Sequence, residues 1–118
     1  MTAPPLTPND VALALARLGR DLEACVRSLD HADRESVHKR EDFTLALSRA
    51  FLATEGPMDM RKHRSIVDTH TERLAAEVAE QIVWGLRRQV DSIKVRIDIG
   101  RSVGTALRAE LTALGGTS

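Results

Sequence analysis

A chain of 118 residues with 17 basic, 17 acidic and 42% apolar side chains is one domain's worth of protein, too apolar to stay unfolded and too charged to lie within a membrane. Zero formal net charge argues against a surface that grips nucleic acid all over, and two Phe, one Trp and no Tyr exclude a platform on which successive bases stack. The single cysteine, Cys25, rules out an internal disulfide; with no secretory leader and no run of about 18 apolar residues, it points to a cytoplasmic protein without a membrane role.

After an N-terminal tail, 1–6, the first helix is announced by Thr7-Pro8-Asn9-Asp10. Thr7 suits the cap, Pro8 the first helical position, and Asp10 the positive end of the helix dipole. Apolar residues then recur at alternating steps of four and three, through Val11, Leu15, Leu18, Leu22, Cys25, Leu29 and Ala32. That 3.5-residue period is the seam of a coiled coil. The same count passes through Ser36 and Lys39 to Phe43, Ala46, Ala50 and Ala53, so the expected helix is continuous over 8–54, with Ser28–Ser36 as the place where a kink would fall. Glu55-Gly56-Pro57 ends it: Gly closes one helix and Pro opens the next, and so short a turn, 55–57, makes the neighbours antiparallel.

A second helix is expected over 58–114, with a frayed tail at 115–118. Its early seam is read through the large apolar residues Met60, Val67, Leu74, Val78 and Ile82, and its later seam through Leu86, Val90, Ile93, Ile97, Gly100, Gly104, Leu107, Leu111 and Leu114. The alternation of Val95, Ile97 and Ile99 with charged residues also fits a strand, but no second strand is available to pair with it. The expected fold is therefore all-α: one domain forming a long antiparallel helical hairpin, coiled-coil-like and completed by oligomerisation.

Charge divides along the chain, −2 over residues 1–56 and +2 over 57–118. Arg87, Lys94, Arg101 and Arg108 recur every seven residues beside the later seam, a row of cations about 10 Å apart along one helix edge. Arg88 and Arg96 lie in the same region. Such a row can track a phosphate backbone, or it can pair with acids across the seam, where Asp21, Glu35 and Asp42 stand at the same seven-residue spacing. Gly100 and Gly104 lie on the seam, where a helix-interior glycine costs about 1 kcal/mol and close approach of another helix gives the reason. Leu15, Leu18, Leu22, Trp84, Gly100, Gly104 and Leu107 are accordingly the candidate interface residues, within the hairpin or between subunits.

Catalytic and metal signals are lacking. His31 and His38 are seven apart, as are His63 and His70, whereas two ligands on one helix stand three or four apart. No Ser, His and Asp arrangement or phosphate loop is recognisable, and Cys25 falls on the apolar seam. No enzyme, cofactor or metal site is expected.

The segments Ala46-Leu47-Ser48-Arg49-Ala50-Phe51-Leu52, Glu55-Gly56, Arg73-Leu74-Ala75-Ala76-Glu77, Arg96-Ile97-Asp98-Ile99-Gly100-Arg101-Ser102 and Leu107-Arg108-Ala109-Glu110 resemble small helical proteins encoded by actinobacterial phages and prophages. More remotely, the layout resembles the UvsY recombination-mediator family of T-even phages. Val90-Asp91-Ser92-Ile93-Lys94-Val95-Arg96 is similar to a Leu-Asp-Ala-Ile-Lys-Ser-Arg stretch of that family, and Ala46–Ala50 to an Ala-Leu-Lys-Ala-Arg segment that carries DNA-binding cations. Here the sequence departs, with Ser48 in the lysine's place and the arginine shifted to Arg49. The resemblance and the basic row together lead to the expectation of an oligomeric, non-enzymatic recombination accessory protein that binds single-stranded DNA through Arg49, Arg87, Lys94, Arg96, Arg101 and Arg108 and works with a recombinase or another phage or host protein. The competing expectation is a protein–protein interaction module, a regulatory, immunity or assembly factor, with no nucleic-acid role.

Overall fold

Three helices, α1 (Pro8–Ala53), α2 (Met58–Asp68) and α3 (His70–Gly115), make up nearly all of residues 6–115, the part of the chain described by the computed structural model. The fold is all-α, an antiparallel helical hairpin with α1 as one arm and α2 followed by α3 as the other. The expected tails fall outside the described residues except for Leu6 and for Gly115, the last residue of α3.

The start of α1 is closed by a reciprocal pair of hydrogen bonds. The Thr7 N–H donates to Asp10 Oδ2 at 3.0 Å and the Asp10 N–H donates to Thr7 Oγ1 at 3.1 Å. Two donors that a helix N-terminus leaves without partners are thereby satisfied. From there α1 runs unbroken through Ser28–Ser36. Ala32 and Ser36 are both buried; a serine is small enough to take a seam position that its polarity alone would argue against.

The hairpin divides into two compact units, one joining 1–26 to 88–118 and the other comprising 27–87. In the first, Val11, Cys25, Val90 and Ile93 are buried, with Gly104 among them. The glycines set how close the arms come. A Cβ added at Gly100 would stand 2.7 Å from Leu15 Cδ2, and one added at Gly104 would stand 3.3 Å from Val11 Cγ1. The later seam, Leu86 to Leu107, faces inward as its spacing requires, while Leu111 and Leu114 are exposed.

In the second unit, Gly56 takes the left-handed conformation (φ 114°) that lets the chain reverse between α1 and α2. Arg61 then clasps the end of α1. Its Nη2 donates to the Phe51 carbonyl at 3.1 Å, and its guanidinium lies 4.5 Å from the centre of the Phe51 ring. A cation at a helix C-terminus also opposes the negative end of the dipole. The second arm is not one helix. It bends at Thr69 (φ −111°, ψ 17°) between α2 and α3. Ser65 and Thr69 are buried, with their hydroxyls turned back to the main chain: Ser65 Oγ donates to the Lys62 carbonyl at 2.8 Å and Thr69 Oγ1 to the Ser65 carbonyl at 2.7 Å.

The early seam of the second arm differs from the one expected. Met60, Val67, Leu74, Val78 and Ile82 are 50–70% exposed. Ser65, Thr69, Glu72, Ala76, Ala79 and Val83 turn inward instead. These small and polar residues continue the four-and-three count of the later seam back to Ser65 without a break. Volume in this unit comes from α1, which contributes the half-buried Phe43, Leu47 and Phe51. Small residues on one arm leave room for rings from the other.

Two outcomes follow for stability. Gly19→Ala places its methyl in open space and should raise unfolding stability by about 1 kcal/mol, whereas Gly100→Val, which overpacks against Leu15, should lower it by about 1–3 kcal/mol, both read from denaturant unfolding. The second outcome concerns Asp10, whose carboxyl is held below its ordinary pKa by the Thr7 main-chain N–H and then by the Thr7 side chain. A depressed folded value means that this contribution is present above the unfolded pKa and is lost as pH falls through the folded one. Thr7→Ala, which removes the side chain but keeps the main-chain N–H, should return the Asp10 titration, followed by NMR, only part of the way toward its ordinary value.

Candidate nucleic-acid interface

Every heptad position has a definite place once the seam is fixed. Calling the seam positions a and d, the residue after each d is e and the residue before each a is g. On α3 the e edge carries Arg73, Glu80, Arg87, Lys94, Arg101 and Arg108; on α1 it carries Ala12, Gly19, Val26, Asp33, Arg40, Leu47 and Thr54. Antiparallel arms bring e beside e. Two ion pairs record this: Arg40 Nη2 to Glu80 Oε1 at 3.1 Å, and Arg87 Nη2 to Asp33 Oδ1 at 3.5 Å.

The expected acidic partners are therefore corrected. Asp21, Glu35 and Asp42 occupy g of α1, the edge away from the basic row, because reversal of one arm pairs like positions rather than e with g. Glu35 instead reaches Lys39 on its own helix at 3.9 Å. Asp33, missed in the sequence, is the acid directly after the seam residue Ala32.

The basic row thus separates into two parts with different surroundings. Arg87, in the unit comprising 27–87, is committed to Asp33, and its guanidinium lies 5.1 Å from the Trp84 ring centre. Lys94, Arg101 and Arg108, in the other unit, are exposed, and among the described residues none has a carboxylate within ion-pair distance. The α1 residues at e in that unit are Ala12, Gly19 and Val26, none of them acidic. Asp91 and Asp98 stand near Lys94 on the same helix without pairing to it. Arg101 and Arg108 border a cleft of about 110 Å³ whose floor includes Val11, Ala12 and Gly104. The small residues on α1 leave both guanidinium groups open to solvent.

Two other expected contacts leave the row. Arg96 is at g of α3, about 200° around the helix from Lys94, and Arg49 is at g of α1 in the unit comprising 27–87. The geometry reduces the candidate site from six residues to three. Of the candidate interface residues, Leu15 and Gly100 meet within the hairpin, Gly104 meets Val11 there, and Leu18, Leu22 and Leu107 are half-buried along its seam. Trp84 is 49% exposed at a position pointing away from the seam. Elsewhere, an apolar cavity of about 550 Å³ opens between α1 and α2, bordered by Leu47, Phe51, Leu52 and Ile66.

No helix among the described residues is long and apolar enough to cross a membrane. No protein-family model matches the chain, and no curated protein or solved structure matches it significantly. The chain is an all-α helical hairpin in which Lys94, Arg101 and Arg108 form an exposed basic edge.

The Arg87–Asp33 pair is half exposed on both sides, so a double-mutant cycle with Arg87→Gln and Asp33→Asn should return a coupling below about 1 kcal/mol that shrinks further in high salt.

Proposed function

We propose that the chain is a non-enzymatic helical accessory protein that holds single-stranded DNA along Lys94, Arg101 and Arg108, in the manner of a phage-type recombination mediator. One observation carries the reading: these three cations share a helix edge at seven-residue spacing and, among the described residues, no acid neutralises them. A cation held without a partner on a rigid helix contributes to phosphate binding through counterion release. With only Phe43, Phe51 and Trp84 as aromatics, and none beside the row, contact is to the backbone rather than to stacked bases, and it is insensitive to base sequence.

A second reading rests on a different observation. In the unit comprising 27–87, large apolar residues such as Leu45, Leu52, Ile66, Leu74, Val78 and Ile82 are exposed. Contiguous apolar surface marks protein contact, which favours a protein–protein interaction module in a regulatory, immunity or assembly role.

One titration separates the two. Anisotropy of a labelled single-stranded oligonucleotide should give a log affinity that falls with log salt at a slope of about −2, as three phosphate contacts require. Lys94→Glu, Arg101→Glu and Arg108→Glu together should abolish binding with helical circular dichroism unchanged. If the unsubstituted chain does not bind at low salt, the DNA reading fails and the protein-partner reading stands.

A further inference from the structure

We infer that the cleft between Arg101 and Arg108 is a seat for a single phosphate monoester, which on the DNA reading is the phosphorylated end of the bound strand. The inference rests on that reading for the carrier of the phosphate and on the cleft alone for the seat.

The cleft is small and carries charge of one sign. Apart from the two arginines its wall is apolar, with Val11, Ala12 and Gly104 at the floor, and it encloses about 110 Å³. Pockets that take a whole drug-sized molecule run to roughly 300–1,000 Å³, so the space suits one phosphate group rather than a nucleoside or an acyl chain. No acid lines it, and among the described residues neither arginine has a carboxylate within ion-pair distance. Arginine presents a planar fork of N–H donors that matches phosphate oxygens two at a time. Side chains seven residues apart on a helix start about 10 Å apart, so both forks can turn toward one group between them.

Charge along the row points to the same end. Helix neighbours stand three residues before and four after each cation. For Lys94 these are Asp91 and Asp98, for Arg101 they are Asp98 and Thr105, and for Arg108 they are Thr105 and Thr112. Neighbouring acids thus fall from two to one to none toward the cleft. The threonine hydroxyls are turned back to the main chain: Thr105 Oγ1 donates to the Arg101 carbonyl at 3.0 Å and Thr112 Oγ1 to the Arg108 carbonyl at 2.9 Å.

The row also stops at the cleft. From Ala109 to Gly115, α3 carries no cation, and its one charge is Glu110. A strand that follows the row from Lys94 therefore meets the strongest field where the cations end. A terminal phosphate fits that place better than an internal one. It brings a charge of about −1.5 to −2 and three acceptor oxygens, whereas a phosphodiester brings a single charge.

Inorganic phosphate titrated into the full chain should shift the Arg101 and Arg108 Nε–H signals in NMR saturably; no shift at either arginine overturns the seat. Anisotropy should then compare one internally labelled single strand with both ends phosphorylated or both ends hydroxyl. The phosphorylated strand should bind about tenfold tighter, the scale of one added charge-assisted contact. Ala12→Glu sets a carboxylate in the cleft without removing a cation and should erase that preference. Ala109→Glu adds the same charge outside the cleft and should keep it. Both alanines are exposed, so neither change disturbs the seam. Equal binding of the two strands, or a preference that survives Ala12→Glu, overturns the inference and leaves the DNA reading standing. If neither strand binds while phosphate still shifts both arginines, the DNA reading fails and the phosphate seat remains.

Discussion

Within the unit joining 1–26 to 88–118, glycine sets the distance between the two arms. At Gly100 and Gly104 the backbone of α3 lies close enough to Leu15 and Val11 that an added methyl would have to displace a side chain. Two helix-interior glycines cost helix stability, about 1 kcal/mol each, and the close packing they permit offsets that cost. Once the arms are this close and antiparallel, every other position follows from the seven-residue count. Like edges meet, so Arg40 finds Glu80 and Arg87 finds Asp33. The same count brings Lys94, Arg101 and Arg108 to an edge where α1 supplies Ala12, Gly19 and Val26.

Near the turn a different balance holds. The inward positions of the second arm are Ser65, Thr69, Glu72 and Ala76, too small or too polar to drive burial by themselves. The Ser65 and Thr69 hydroxyls are satisfied by the main chain, whereas Glu72 Oε2 is buried without a hydrogen-bond partner, and α1 contributes the half-buried rings of Phe43 and Phe51. Arg61 completes this end by bonding to a carbonyl that the last turn of α1 would otherwise leave without a partner. The helix bends at Thr69, where these back-bonded hydroxyls are. Because small residues face inward, the larger ones face out, and the apolar strip from Leu74 to Ile82 is the complement of the polar seam behind it.

Two kinds of surface are open on α3. Lys94, Arg101 and Arg108 are exposed along one edge in the unit joining 1–26 to 88–118, and large apolar residues are exposed in both units, Leu74, Val78 and Ile82 in one and Val95 and Ile99 in the other.

The sequence by itself determined the helical class, the break at Gly56, the cap at Thr7 and the seams of α1 and of α3 beyond Leu86. Each depends on local spacing or on a residue's own backbone preference, and neither needs a partner to be read. Continuity of α1 through Ser36 was legible for the same reason, since the four-and-three count survives a small polar residue. The early seam of the second arm was not legible. Leu74, Val78 and Ile82 outweigh Ser65, Thr69 and Ala76 in hydrophobicity, and only the rings contributed by α1 decide that the smaller set turns inward. Nor could spacing alone choose between Asp33 and Glu35 as the partner of Arg87. Both acids flank the seam of α1, one on each side, and the tertiary pairing of antiparallel arms decided which side meets the basic edge.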